Sequence, residues 1–203
     1  MTNKQIFLLN GPPSSGKDSL AAYITGINGR FKMDKLAYPL KQACKVMFSL
    51  TDEEFKLFDS DPTWKNKPQD RFYGVSWRQV NIDLSEVYIK HQYDSAFFGK
   101  SLVSRIKASD KEFFLITDSG FMEEVAPLIA EFGAENVHLL QLHREGYTFA
   151  GDSRNYLDGA KLGLDPYILY NTNLDAFLQH ATNLVYYLAY KDDKIKSGCM
   201  GDN

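Results

Sequence analysis

The sequence predicts an α/β fold, a parallel sheet with helices on both faces. Three observations predict it. Short apolar runs of strand length alternate with stretches of helical periodicity. The first such run, residues 5–10 (QIFLLN), passes through a glycine-bearing loop directly into a helix pattern. The 203 residues, 44% of them apolar, suffice for one domain with a full core and a small lid.

Residues 5–10 are almost uniformly apolar, as a parallel strand covered on both faces should be. Residues 17–27 predict a helix with Leu20, Ala21 and Ile24 on one face. Residues 31–37 predict a second strand. Pro39 opens a helix, where its missing N–H does no harm, and Leu40, Ala43, Cys44, Met47 and Phe48 recur at helical spacing. Residues 51–75 are polar and aromatic with Pro62, Pro68 and Gly74, and predict a long loop or small insertion. Ser76 is the expected N-cap of a helix carrying Val80, Leu84, Val87 and Tyr88 on one face.

A further helix is expected over 95–107, then a strand over 112–117 (EFFLIT) that ends at Asp118. Residues 122–132 predict a helix with Val125, Leu128, Ile129 and Phe132 inward and Gly133 as its stop. The next strand is 136–142. Residues 143–167 lose periodicity and hold four glycines and Pro166, as a mobile lid would. A short strand over 167–170 and an amphipathic helix from Leu174 through Leu188 complete a single domain over 1–190. A polar, frayed tail is expected over 191–203.

Composition excludes several classes. A net charge of −3 argues against broad, sequence-independent nucleic-acid binding, although Arg30, Lys32, Lys35, Lys41 and Lys45 leave a local basic groove open. No apolar run approaches the ~18 residues of a membrane helix, and the first ten residues lack a leader pattern. Cys44 and Cys199 have no metal spacing and are expected as free thiols in a reducing cytoplasm. His138 and His143 show no metal spacing either. Monomer and homodimer both stay open.

Chemistry concentrates at the predicted strand ends, where ligands bind in such folds. Gly11-Pro12-Pro13-Ser14-Ser15-Gly16-Lys17-Asp18-Ser19 is a P-loop pattern. Its glycines let backbone N–H groups turn inward, the helix adds its positive end, and Lys17 adds a charge that can follow a phosphoryl group. This predicts ATP as ligand with Mg²⁺ beside it. The hydroxyl that usually follows the lysine and binds Mg²⁺ is Asp18 here, so Asp18 and Ser19 are both candidate metal ligands. Asp118 can order Mg²⁺ water or accept a proton. Glu123 and Glu124 suit a helix start. Arg144 and Arg154 on the lid segment can neutralise charge on the transferring phosphoryl group and be withdrawn on opening. Arg78, beside Trp77, can clamp an acceptor's phosphate. Phe72, Tyr73 and Trp77 can stack on a base or form core.

These residues resemble the phage deoxynucleoside monophosphate kinases, which belong to the adenylate-kinase-like P-loop group. The match runs over most of the chain, in order. SGKDS (Ser15 to Ser19) is similar to the family's GKD[ST] loop, LAYPLKQAC (Leu36 to Cys44) to its xAxPLKxxx element and SWRQ (Ser76 to Gln79) to its TPRQ element. ITDSGFMEE (Ile116 to Glu124) matches its DxRFxxE element at Asp118, Phe121 and Glu124, while LHREG (Leu142 to Gly146) and YNTNLDAF (Tyr170 to Phe177) resemble its last strand, lid start and final helix entry. The resemblance implies a three-layer P-loop kinase fold. It also implies ATP binding by residues 11–19 with Asn171, catalysis with Lys17, Asp118, Arg144 and Arg154, and Lys41, Trp77, Arg78 and Asp118 near the substrate. Two positions depart from it: the arginine after the aspartate is Gly120, and the element after SWRQ reads Leu84-Ser85-Glu86.

The expected activity is transfer of a phosphoryl group from ATP to a (deoxy)nucleoside monophosphate, in the host cytoplasm if the chain is phage-encoded. One alternative is a kinase acting on 5-hydroxymethyluracil in phage DNA, with Asp118 as base. Another is a nucleotide-binding protein with little turnover.

Overall fold

The computed structural model describes residues 4–198, with side chains up to Lys191; Cys199 and the end of the tail lie outside them. The chain divides into two compact units, the first formed by residues 1–35 with 99–203 and the second by residues 36–98. Among the described residues no helix is long and apolar enough to cross a membrane.

The first unit begins with β1 (Gln5–Asn10), α1 (Lys17–Ile27) and β2 (Phe31–Asp34). The second unit holds α2 (Tyr38–Met47), α3 (Asp52–Ser60), α4 (Pro62–Asn66), β3 (Pro68–Gln69), β4 (Val75–Ser76) and α5 (Trp77–Ile82). The chain then resumes the first unit along α6 (Phe97–Ala108), which starts two residues before the boundary. β5 (Phe113–Ile116), α7 (Met122–Phe132), β6 (Val137–His143), α8 (Gly159–Leu162), β7 (Tyr167–Tyr170) and α9 (Leu174–Gly198) complete it.

Five strands of the first unit form one parallel sheet in the order β2-β5-β1-β6-β7. Alternate residues serve opposite faces. Phe7, Leu9, Leu115, Leu140 and Leu142 join Leu20 and Ile24 of α1 and Phe177, Ala181 and Val185 of α9 in one cluster. Ile6, Leu8, Phe114 and Ile116 point the other way and are equally enclosed; α7 packs on β6 there. Burial on both faces explains the unbroken apolar strands. It makes this a three-layer α/β fold, as expected.

Strand 2 is shorter than predicted, because the Asp34 carboxylate accepts from the Lys35 N–H at 2.7 Å and turns the chain. The helix of the C-terminal region continues to Gly198, past the expected start of the tail.

Of the two readings of 51–75, a long loop or a small insertion, the structure bears out the insertion. Thr51 and Glu54 form a capping box that starts α3, and the Asp61 carboxylate accepts from Thr63 and Trp64 to start α4. Phe72 sits at the centre of this unit, its ring centroid 5.0 Å from Phe58, 5.2 Å from Phe48 and 5.5 Å from Trp77. Ser76 caps α5 as expected, accepting from the Gln79 N–H at 3.1 Å. Residues Asp83–Lys90 then wind as a π-helix. Its wider turn removes the 3–4 residue spacing from one face, so Val87 and Tyr88, expected inward, are exposed. Cys44 is a buried free thiol whose pKa burial pushes up to about 11, which keeps it protonated and inert.

Candidate functional site

The loop from Gly11 to Gly16 links the C-terminal end of β1 to the start of α1. Gly16 is the N-cap at φ 108°, a conformation that L side chains rarely adopt, and no side chain caps the helix. The first N–H groups of an eleven-residue helix therefore point at the loop's concavity without a side-chain acceptor, an arrangement suited to an anion. A Cβ at residue 16 would lie 2.8 Å from Asn171 Nδ2, which donates to the Ser15 carbonyl at 3.0 Å. The Asn171 N–H in turn donates to the His143 carbonyl at 2.8 Å. Asn171 thus pins the loop to the ends of β6 and β7. Ser14 sits at φ 62°, and its carbonyl accepts from Arg144 Nη1 at 2.8 Å. The Arg144 guanidinium lies 4.4 Å from the centroid of the Tyr147 ring.

Lys17 folds back onto the loop. Its Nζ donates to the Gly11 and Pro12 carbonyls, both at 2.6 Å, and approaches Ser15 Oγ at 3.4 Å. Burial, with the charge of Arg154 adding to it, lowers the Lys17 pKa to about 8. Arg154 makes a bidentate fork on Asp152, with Nε at 2.9 Å and Nη2 at 2.7 Å. Asp118, just past β5, is close enough for its charge to act on both cations.

Asp18 is differently employed than its place after the lysine suggested. Its Oδ1 takes the Lys35 ammonium at 2.8 Å and the Thr117 hydroxyl at 2.9 Å. Partial burial works against its charge, but Lys35 outweighs it and the carboxyl titrates below its ordinary value. Arg105 braces the same corner, donating to the Lys35 carbonyl at 2.7 Å and pairing with Asp34 at 3.2 Å. Ser14, Lys17, Asp18, Ser19, Arg144 and Asn171 help line a cavity of about 320 Å³. Ser19 and the carboxylates of Asp18 and Asp118 are hard oxygen donors of the kind magnesium takes. Among the described residues no group of three or more His, Cys, Asp or Glu could cage a metal. A magnesium ion here would rely on phosphate oxygens and water for the rest of its shell.

A second cavity, about 560 Å³, shares Arg144, Asn171 and Thr172 with the first and is otherwise largely aromatic. His143 stacks on Tyr156 at 4.4 Å with the rings 14° apart, and Phe149 meets Tyr156 edge-on at 5.0 Å. Tyr147 and Tyr170 complete its apolar lining. Of these rings only His143 was weighed from sequence; His143 and Tyr170 end β6 and β7, and Tyr147, Phe149 and Tyr156 follow β6.

The candidates on the second unit fare differently. Trp77 is corrected from a substrate-facing ring to a core residue. It is 0% exposed, tilted against Phe72 and edge-on to Phe55, so it has no open face to offer a base. Lys41 is paired with Asp59 at 2.7 Å, and Asp59 also accepts from Trp77 Nε1 at 3.3 Å. Arg78 lies at the start of α5, half-buried and with partners of its own. In α7, Glu124 is buried rather than displayed at the helix start.

No family model matches the chain. Over 85 residues it is 35% identical to a protein of Acanthamoeba polyphaga mimivirus provisionally named a deoxynucleotide monophosphate kinase, a match covering 40% of this chain and 42% of that one. Among solved structures, a gluconokinase from Sinorhizobium meliloti 1021 aligns over 97% of this chain and 98% of its own, at 12% identity and a TM-score of 0.45. The chain is a P-loop α/β protein that is similar, over two-fifths of its length, to a protein provisionally named a deoxynucleotide monophosphate kinase.

Proposed function

We propose that the protein transfers the γ-phosphoryl group of ATP to a (deoxy)nucleoside monophosphate. One observation carries this reading: the uncapped start of α1, Lys17 and Arg144 border a polar cavity that shares a wall with an aromatic one. A triphosphate fits the first by charge and a nucleobase fits the second by stacking. The mimivirus relative supports a nucleotide as the other substrate.

In this reading the loop N–H groups and Lys17 hold the β- and γ-phosphates. Lys17 leaves the Gly11 and Pro12 carbonyls for the incoming anion. An acceptor phosphate oxygen attacks the γ-phosphorus, the bond to the β,γ-bridging oxygen breaks, and ADP leaves with that electron pair. The acceptor is already an anion, so no base is required; the residues act by positioning and charge neutralisation. Arg144 and Arg154 meet charge on the transferring group. Ser19 with Asp18 or Asp118 would hold a magnesium ion, which would supply charge neutralisation at the phosphate oxygens. Lys41 and Arg78 remain our candidates for the acceptor, and Lys41 must exchange Asp59 for it.

The test is a screen with γ-labelled ATP against the deoxynucleoside and nucleoside monophosphates. Label in a diphosphate supports the reading. Label in hydroxymethylated DNA and in no free nucleotide moves the acceptor to a hydroxyl, with Asp118 as its base. Slow ATP loss indifferent to every acceptor removes the kinase assignment.

A further inference from the structure

The segment after β6 was expected to be one mobile lid, yet its two arginines are mounted differently. Arg144 reaches the loop from a stretch whose own hydrogen bonds are local turns. Arg154 belongs to a stretch stitched to the sheet. Asn10, 0% exposed at the end of β1, donates from Nδ2 to the Ser119 and Asn155 carbonyls, both at 3.0 Å, and accepts the Leu157 N–H at 2.8 Å. Gln141 Nε2 donates to the Leu157 carbonyl at 2.8 Å, and the Tyr156 hydroxyl to the Leu142 carbonyl at 2.9 Å.

Within this stretch the stem of Arg154 runs across Gly120. A Cβ at residue 120 would fall 2.5 Å from Arg154 Cβ, 2.8 Å from Cγ and 3.0 Å from Cδ. Those atoms are the base of the side chain, so the clash could not be relieved at a flexible tip. The other end is fixed by Asp152, whose side chain is 2% exposed and which takes the Arg154 N–H, Nε and Nη2 together. Nε and Nη2 are spent on that fork, so the Nη1 edge is the one that can meet a ligand.

We propose that Arg154 is a fixed guanidinium of the phosphate site rather than a lid arginine, and that Gly120 and Asp152 are the positioning residues that seat and clamp it. The Arg154 stretch joins Asn10, the residue just before the loop, through the Asn155 carbonyl and the Leu157 N–H, and this sets the guanidinium on the loop's side of the sheet end. The inference rests on the phosphoryl-transfer reading for its chemistry, but its geometry concerns any polyphosphate.

The experiment is a double-mutant cycle between Gly120→Ala and Arg154→Lys, read by turnover and by calorimetric binding of inorganic tripolyphosphate. Melting temperature is followed throughout. Misplacing or weakening the guanidinium should lower turnover by about 100-fold in each single variant. The double variant should be no worse than Arg154→Lys alone, because the seat has no purpose once the fork is lost. Asp152→Asn, close in shape, should weaken tripolyphosphate binding with the same pattern and serves if Gly120→Ala does not fold. Losses that multiply, or a Gly120→Ala protein as active as the parent, overturn the inference. If tripolyphosphate binding shows the coupling but no acceptor is phosphorylated, the inference stands and the proposed reaction falls.

Discussion

Lys17 and Lys41 are both largely enclosed lysines, and their surroundings differ in one respect. Lys17 has carbonyl oxygens and a hydroxyl at hydrogen-bond distance, and its pKa drops to about 8. Lys41 has the Asp59 carboxylate at 2.7 Å. Burial alone would raise the pKa of Asp59, and the Lys41 ammonium holds it below the ordinary value instead. The first lysine is under-neutralised and gains from an arriving anion; the second is already satisfied by its own unit. A buried cation whose hydrogen-bond partners are neutral oxygens, with carboxylates acting on it only through space, suits a ligand site, whereas one in direct contact with a carboxylate suits structure.

The sharpest way to break this comparison is Lys17→Met. Loss of the ammonium should lower phosphoryl transfer by about 10³-fold. It should also raise the melting temperature of the ligand-free protein by about 2–4 °C, since a disfavoured buried charge is gone. A variant that melts lower would show that Lys17 is satisfied like Lys41.

Trp77 gives the next largest effect, on the structural side. Trp77→Ala should cost about 3–5 kcal/mol in a denaturant titration, as for other large buried rings. Trp77→Phe should keep most of that stability and leave the acceptor's KM unmoved. A raised KM with unchanged stability would restore the ring to the substrate.

Titration probes the contrast more finely. The free Lys17 pKa is lowered to about 8, and a bound polyanion favours its charged form. Binding above that pH therefore takes up a proton, so ATP affinity should be flat below pH 8 and fall about tenfold per unit above it. Isothermal calorimetry at several pH values reads this directly, and Lys17→Met should abolish the slope. For Asp59 the sign is opposite. Its folded pKa is depressed, so the stability it contributes is present above its unfolded pKa and is lost as pH falls through the folded one. Asp59→Asn should flatten the acid limb of the stability profile, read as melting temperature against pH, below about pH 4.

What could be read from sequence follows the same division. The strand–loop–helix geometry at 11–19 was legible because its signal is contiguous in sequence. The role of Asp18 was not, because its partners Lys35 and Thr117 arrive from the ends of two other strands. Trp77 was misread because an aromatic beside an arginine looks alike in a pocket and in a core until packing decides. The capping box at Thr51 and Glu54 was present in the sequence but hidden under a loop-like composition. Tyr147, Phe149 and Tyr156 of the second cavity stand on irregular backbone, where no periodicity announces them.

The contact between Gly120 and the stem of Arg154 bears on how this site can diverge. A side chain introduced first at 120 dislodges the guanidinium, and a loss of Arg154 first removes it. If Arg154 serves the phosphate site as proposed, either single step would weaken that site, and the two positions would be locked as a pair. Among homologues, a residue larger than glycine at 120 and an arginine at 154 should exclude one another. Lineages that cross from one state to the other should do so with a second arginine already in place.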